Sequence, residues 1–244
     1  MKNIFLFVSL TFFITGFSQK SNNIKTLTFP SKDGLTITAD LFTTINNKGF
    51  IVLCHQAGFS RGEYTNTGKI LQNLGYSALA IDQRSGNKAN NIVNETHLEA
   101  LQKDLPTSYL DAKQDIEAAV DYAFKLNMNK PIILVGSSYS SSLVLLIATQ
   151  NPKVKAVASF SPGEYLRGIN LAQSIKKLNK PTFVTSSQNE VNQTAKVVKY
   201  VDKKYVTHFK PKVTGKHGSK ALWEINSGHE FYWKAFSEFL KGLK

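Results

Sequence analysis

Residues 132–140 read Ile132-Ile133-Leu134-Val135-Gly136-Ser137-Ser138-Tyr139-Ser140, an apolar run that breaks into small and polar residues. The run predicts a buried strand, and the residues after it carry a helical pattern over Tyr139 to Gln150. A serine between such a strand and helix stands at the tip of a tight turn, above the sheet and at the helix's amino end. Strand and helix nearly collide there, so small residues are needed two positions before and two after it. Gly136 meets the first need, and Ser140 stands where a second glycine is usual. A serine that only caps the helix is the structural alternative. The setting of the turn favours Ser138 as a nucleophile.

Working outward, the pattern alternates between strand and helix. Ile24 to Phe29 and Leu35 to Phe42 read as half-buried strands around the turn Ser31-Lys32-Asp33-Gly34. Phe50 to Cys54 is a continuous apolar strand, followed by a loop and an amphipathic helix near Tyr64 to Leu74 that Gly75 stops. Ser77 to Ile81 is a further strand, and a helix is expected over Tyr109 to Leu126 before the strand beginning at Pro131. Beyond Gln150 the expectation is strand Val154 to Phe160, helix Glu164 to Leu178, strand Pro181 to Thr185 and helix Val191 to Val201. A last strand over Tyr205 to Lys212 and a closing helix over Glu230 to Leu243 complete the chain. Two antiparallel strands followed by strand–helix alternation imply an α/β fold. Its sheet is mostly parallel, of about eight strands, covered by helices on both faces. Chemistry in such a sheet belongs to the loops after the strands' carboxyl ends.

The 244 residues suit one core, and no repeat or Pro/Gly/Ser-rich linker divides them. Lys2 followed by the apolar run Ile4 to Phe17, with Gly16 and Ser18 two apart, reads as a signal peptide over residues 1–18. The run is short for a membrane span, so residues 19–244 are expected as one exported domain, periplasmic or extracellular, without stable membrane insertion. The net charge is +13, yet the lysines are scattered and no nucleic-acid motif accompanies them, so no nucleic-acid partner is expected. The single cysteine, Cys54, ends an apolar strand and reads as a buried side chain.

A serine nucleophile needs a base and the base an orienting acid, in the chain order serine, acid, histidine for a sheet of this construction. His55 and His97 precede Ser138, His208 lies within the last expected strand, and His229 begins the closing helix. His217, in the turn Gly215-Lys216-His217-Gly218, remains as the base. The acid should follow strand Pro181 to Thr185, where Glu190 is the only carboxylate in Ser186-Ser187-Gln188-Asn189-Glu190; Glu164 is the fallback. Backbone donors for an oxyanion are expected from Tyr139 N–H and from the loop His55-Gln56-Ala57-Gly58-Phe59, with Ala57 N–H first and Gln56 N–H next. Arg61 and Arg84 both follow strands at this face; they can hold a substrate carboxylate or pin loops through Glu63, Asp82 or Glu95. Ser85 to Asp104 is a long connection placed where a lid would lie, and is too short for a full cap domain.

The serine turn, the loop at His55, the acid and the terminal His-Gly together resemble the α/β-hydrolase superfamily, closest to its small dienelactone-hydrolase-like members. The loop at His55 resembles the superfamily's His-Gly-x-Gly oxyanion loops, with Gln56 in place of the first glycine. More narrowly, His55-Gln56-Ala57-Gly58 with Ser60 to Tyr64, Asp82-Gln83-Arg84-Ser85-Gly86, Gly136 to Ser140 and Phe160 to Tyr165 resemble a bacterial subgroup of hydrolases. Dienelactone hydrolases proper use cysteine where Ser138 stands, so their substrate is not implied. The resemblance implies hydrolysis of a small-molecule carboxylic ester or related acyl bond through an acyl-enzyme, with no cofactor and no metal. Acyl transfer or peptide cleavage uses the same apparatus, and a non-catalytic binding protein could share the fold.

Overall fold

A computed structural model describes residues 24–45 and 47–243. The expected signal peptide lies outside the described residues. In chain order the elements are β1 (Ile24–Pro30), β2 (Thr36–Phe42), β3 (Phe50–Cys54), α1 (Thr65–Asn73), β4 (Ser77–Ile81), β5 (Lys88–Ala89) and β6 (Ile92–Val93). They continue with α2 (Glu95–Gln102), α3 (Lys113–Leu126), β7 (Ile132–Ser137), α4 (Tyr139–Gln150), β8 (Val154–Phe160) and α5 (Leu171–Ser174). β9 (Thr182–Thr185), α6 (Val191–Val197), β10 (Val206–His208) and α7 (His229–Gly242) close the chain.

Eight strands form one sheet in the order β1-β2-β4-β3-β7-β8-β9-β10. β1 with β2, and β2 with β4, pair antiparallel; from β4 onward every pairing is parallel. The central strands are buried on both faces, which is why β3 and β7 read as unbroken apolar runs. Successive side chains still alternate. Val52, Leu134 and Val157 enter a core with α3 and α4, whereas Ile51, Leu53, Ile133 and Ala158 enter the opposite core with α7. In that second core Phe160, Phe183 and Phe236 meet with ring centroids 5.5–5.8 Å apart. Each such buried side chain stabilises the fold by about 1.5–3 kcal/mol.

The departures from the expected elements have local causes. The helix expected over 109–126 begins at Lys113, because the Asp111 carboxylate takes the Ser108 N–H and hydroxyl and holds a turn there. The helix expected over 164–178 shrinks to α5: Gly168 adopts φ 79°, and Glu164 Oε2 accepts the Leu171 N–H at 2.7 Å. The last strand is three residues instead of eight, with Pro211 soon after it.

Candidate active site

β7, third from the β4 end of the six-strand parallel run, delivers Ser138 at the top of the sheet, between β3 and β8. Ser138 has φ 57° and ψ −123°, a left-handed conformation that costs about 1–3 kcal/mol and persists only where its surroundings enforce it. The Ser138 N–H donates to the Phe160 carbonyl at 2.9 Å, and Ser141 N–H donates to the Ser138 carbonyl at 2.9 Å. A Cβ at Gly136 would stand 2.5 Å from the Ser140 carbonyl oxygen, so only glycine fits. Ser140 is accommodated because its hydroxyl has partners: it donates to the His55 carbonyl at 2.5 Å and accepts from Gln83 Nε2 at 2.6 Å.

Three loops converge on this serine. His217, between the left-handed Gly215 and Gly218, places Nε2 2.8 Å from Ser138 Oγ. A Cβ at Gly218 would stand 2.4 Å from Ser137 Oγ, so the turn depends on glycine. On its other side His217 Nδ1 contacts Glu190 Oε1, which the helical turn after β9 supplies. Burial alone would raise the Glu190 pKa, but hydrogen bonds from His217, Ser187 and Ser161 outweigh it and hold it at about 2. An ionised carboxylate only accepts, so Nδ1 carries its proton and Nε2 is left to receive one from Ser138. The Tyr165 hydroxyl donates to the Ser161 carbonyl at 3.3 Å, a contact that a lone tyrosine in a loop did not announce in the sequence.

The backbone donors divide. Tyr139 N–H, in the first turn of α4, has no acceptor among the described residues, and neither has Ala57 N–H. Gln56 N–H, the second choice from the sequence, is corrected: it donates to the buried Glu63 carboxylate at 2.7 Å and is not available to a substrate. His55 is fully buried, and burial lowers its pKa to about 4. Its Nε2 accepts the Gln83 N–H at 3.0 Å, so Nδ1 carries the proton and donates to the Gln56 carbonyl at 2.8 Å. In a trans peptide that carbonyl and the Ala57 N–H point in opposite directions. The ring therefore fixes where Ala57 N–H is aimed.

Four other sequence readings change. Arg84 is not a substrate-binding group: it is fully buried, bonded to Asp115 at 2.7 Å and to Asp33 at 2.8 Å. Arg61 takes the loop-pinning role of its two expected ones, serving Asp82 at 2.6 Å, and adds Asp40 at 3.2 Å and the Val93 carbonyl at 3.0 Å. Glu164 is not brought to His217; it holds the start of α5. The connection 85–104 is not a loose lid. It folds into the β5–β6 hairpin and α2, and Asn94 Nδ2 donates to the Gln83 carbonyl at 2.9 Å. Cys54 is buried in β3, where desolvation pushes its thiol pKa up. His208 lines a cleft of about 560 Å³ between β10 and α7, but no hydroxyl is held against its ring. Contact geometry, not cleft volume, marks the site.

An esterase of Pyrococcus furiosus shares this fold at 17% identity and a TM-score of 0.68, over 91% of this chain and 92% of that one. A dienelactone hydrolase of Anabaena variabilis does so at 15% identity and 0.69, over 90% and 97%. An acylaminoacyl peptidase of Pyrococcus horikoshii matches at 16% identity and 0.65, over 90% of this chain but 41% of that one. No curated protein matches the chain. Residues 45–239 match the Hydrolase_4 model, described as Serine aminopeptidase, S33. That match spans β3 to α7 and takes in every loop around Ser138. This chain is a serine hydrolase and belongs to that family.

Proposed function

We propose that the protein hydrolyses a carboxylic ester of a small molecule through an acyl-enzyme on Ser138. Ser138 Oγ attacks the carbonyl carbon as its proton passes to His217 Nε2. Tyr139 N–H and Ala57 N–H receive the oxyanion. Glu190 holds the imidazole in its Nδ1–H form and stabilises the imidazolium. The proton then leaves with the alcohol, and water, deprotonated by the same ring, clears the acyl group. The observation that carries this reading is the unbroken line Ser138 Oγ, His217 Nε2, His217 Nδ1, Glu190 Oε1.

Cleavage after a free amino terminus is the second reading, favoured by the family's description. It calls for a carboxylate free to hold the substrate's ammonium group. Glu63, Glu164 and Glu190, the acids on the loops nearest the site, are each engaged by protein donors. That supports ester over aminopeptidase chemistry. Export is proposed on the residues Lys2 and Ile4 to Phe17. Its check is the mass of protein recovered outside the cytoplasm, which should lack residues 1–18.

The test is a fluorophosphonate followed by intact mass. Wild type and Ser137→Ala should gain one adduct and Ser138→Ala none. A screen of p-nitrophenyl esters against aminoacyl p-nitroanilides then separates the two readings. Labelling that survives in Ser138→Ala overturns the assignment.

A further inference from the structure

Glu63 lies in the helical turn Arg61–Tyr64 that follows the oxyanion loop, and it is 1% exposed. Buried carboxylates ordinarily face a cation, as Asp82 faces Arg61 and Asp115 faces Arg84. Glu63 does not: among the described residues Lys220 acts on it only through space. Its partners are instead two loops of the site. Oε2 accepts Gln56 N–H at 2.7 Å, and Oε1 accepts the Ser219 hydroxyl at 2.5 Å. Its carbonyl also receives Trp223 Nε1 at 3.0 Å. The turn is itself immobilised, since Gly62 packs against the Ala89 carbonyl too closely for any Cβ and the Tyr64 hydroxyl donates to the Cys54 carbonyl at 2.8 Å.

Gln56 is one residue before the oxyanion donor Ala57, and Ser219 is two residues after His217. With Glu63 on the Gln56 N–H and His55 on the Gln56 carbonyl, both peptide planes flanking Gln56 are held. Ser219 N–H in turn donates to Ser137 Oγ at 2.8 Å, beside the nucleophile. We propose that Glu63 is a positioning residue that registers the oxyanion donor Ala57 N–H against His217 by holding both loops on one carboxylate. The inference rests on the acyl-hydrolase reading of Ser138. A carboxylate that only filled a polar gap would not need both of its oxygens on loops that meet at the serine.

The experiment compares full-length wild type, Glu63→Gln and Ser219→Ala, the last removing a single hydroxyl so that a folded variant is at hand. Active sites are counted with a fluorophosphonate, and kcat and KM are measured per counted site on p-nitrophenyl butyrate and its thiono analogue. The sulfur of a thionoester uses an oxyanion hole poorly, so the oxo-to-thiono rate ratio reports on donor placement. Misplacing a catalytic group by about 1 Å costs up to about 100-fold in rate, so a loss of about 10- to 100-fold is the expected scale. Glu63→Gln should lose that much kcat, with KM nearly unchanged and a lowered ratio, and Ser219→Ala should follow with a smaller loss. Unchanged kcat per site and an unchanged ratio overturn the proposal, even if fewer sites are counted, because that is the signature of a purely structural role. A wild type that neither labels nor turns over sinks the hydrolase reading itself, a result distinct from failure of the Glu63 arm.

Discussion

The Ser161 hydroxyl donates to Glu190 Oε2 at 2.8 Å while accepting the Gly218 N–H at 2.9 Å, so one serine joins the acid to the turn that carries His217. Ser161 is itself left-handed, with φ 58°, and its N–H is held by the Thr185 carbonyl at 2.7 Å, just before the acid's loop. Ser161→Ala should therefore loosen the pair His217–Glu190 without disturbing the sheet. About a 10-fold fall in kcat is expected, from misorientation of the base. Circular dichroism and the urea midpoint should stay near wild type, whereas an unaltered kcat would show that Glu190 needs no such brace.

His55 and Glu190 should each weaken the fold in acid, in two successive ranges and for one reason, whereas Asp82, raised to about 6 by burial, contributes the other way as pH falls from 6. The His55 pKa lies at about 4 in the fold against an ordinary 6.5, because burial disfavours its cation. As pH falls from 6.5 towards 4 the unfolded chain binds a proton that the folded one refuses, so stability declines. Glu190, at about 2 against an ordinary 4.5, repeats this between 4.5 and 2. Thermal midpoints from pH 7 to pH 4 should fall more steeply for wild type than for His55→Gln, which starts lower. Parallel curves would show that His55 is not kept neutral.

Arg84→Met separates a buried ion pair from a substrate contact. It leaves Asp115, which is fully buried, without its cation, and removing one partner of such a pair costs about 3–5 kcal/mol. The urea midpoint should drop accordingly, and Arg84→Met/Asp115→Leu should recover much of the loss. KM for uncharged and anionic esters alike should be unmoved in whatever fraction remains folded. A rise in KM confined to anionic esters would restore Arg84 as a binding residue.

The strands, and the serine, acid and histidine that the structure brings together, were legible because the signals were local. An apolar run ending in Gly-Ser-Ser, a lone carboxylate after β9 and a His-Gly turn before α7 each mark one loop at the same end of the sheet. The β5–β6 hairpin was not anticipated because its strands are two residues long, although Asn90-Asn91, at φ 46° and 63°, is a turn signal. Arg61 and Arg84 stayed open in the sequence between holding a substrate and pinning loops, for a physical reason. Their position after strands suggested the open face, while their carboxylate partners, Asp40, Asp33 and Asp115, lie 21–51 residues away in sequence. Glu63 had no local mark at all, since its partner Ser219 is 156 residues distant.

Cys54, sealed in β3 beneath the loop that follows it, is the chain's sole thiol, and burial holds it in the unreactive protonated form. A cysteine introduced at an exposed position such as Ile225 would thus be the one group that a maleimide meets in the folded protein. A fluorophore or spin label can be attached there without first removing a native sulfur, and it would report the local motion of the segment between the His217 turn and α7 in solution.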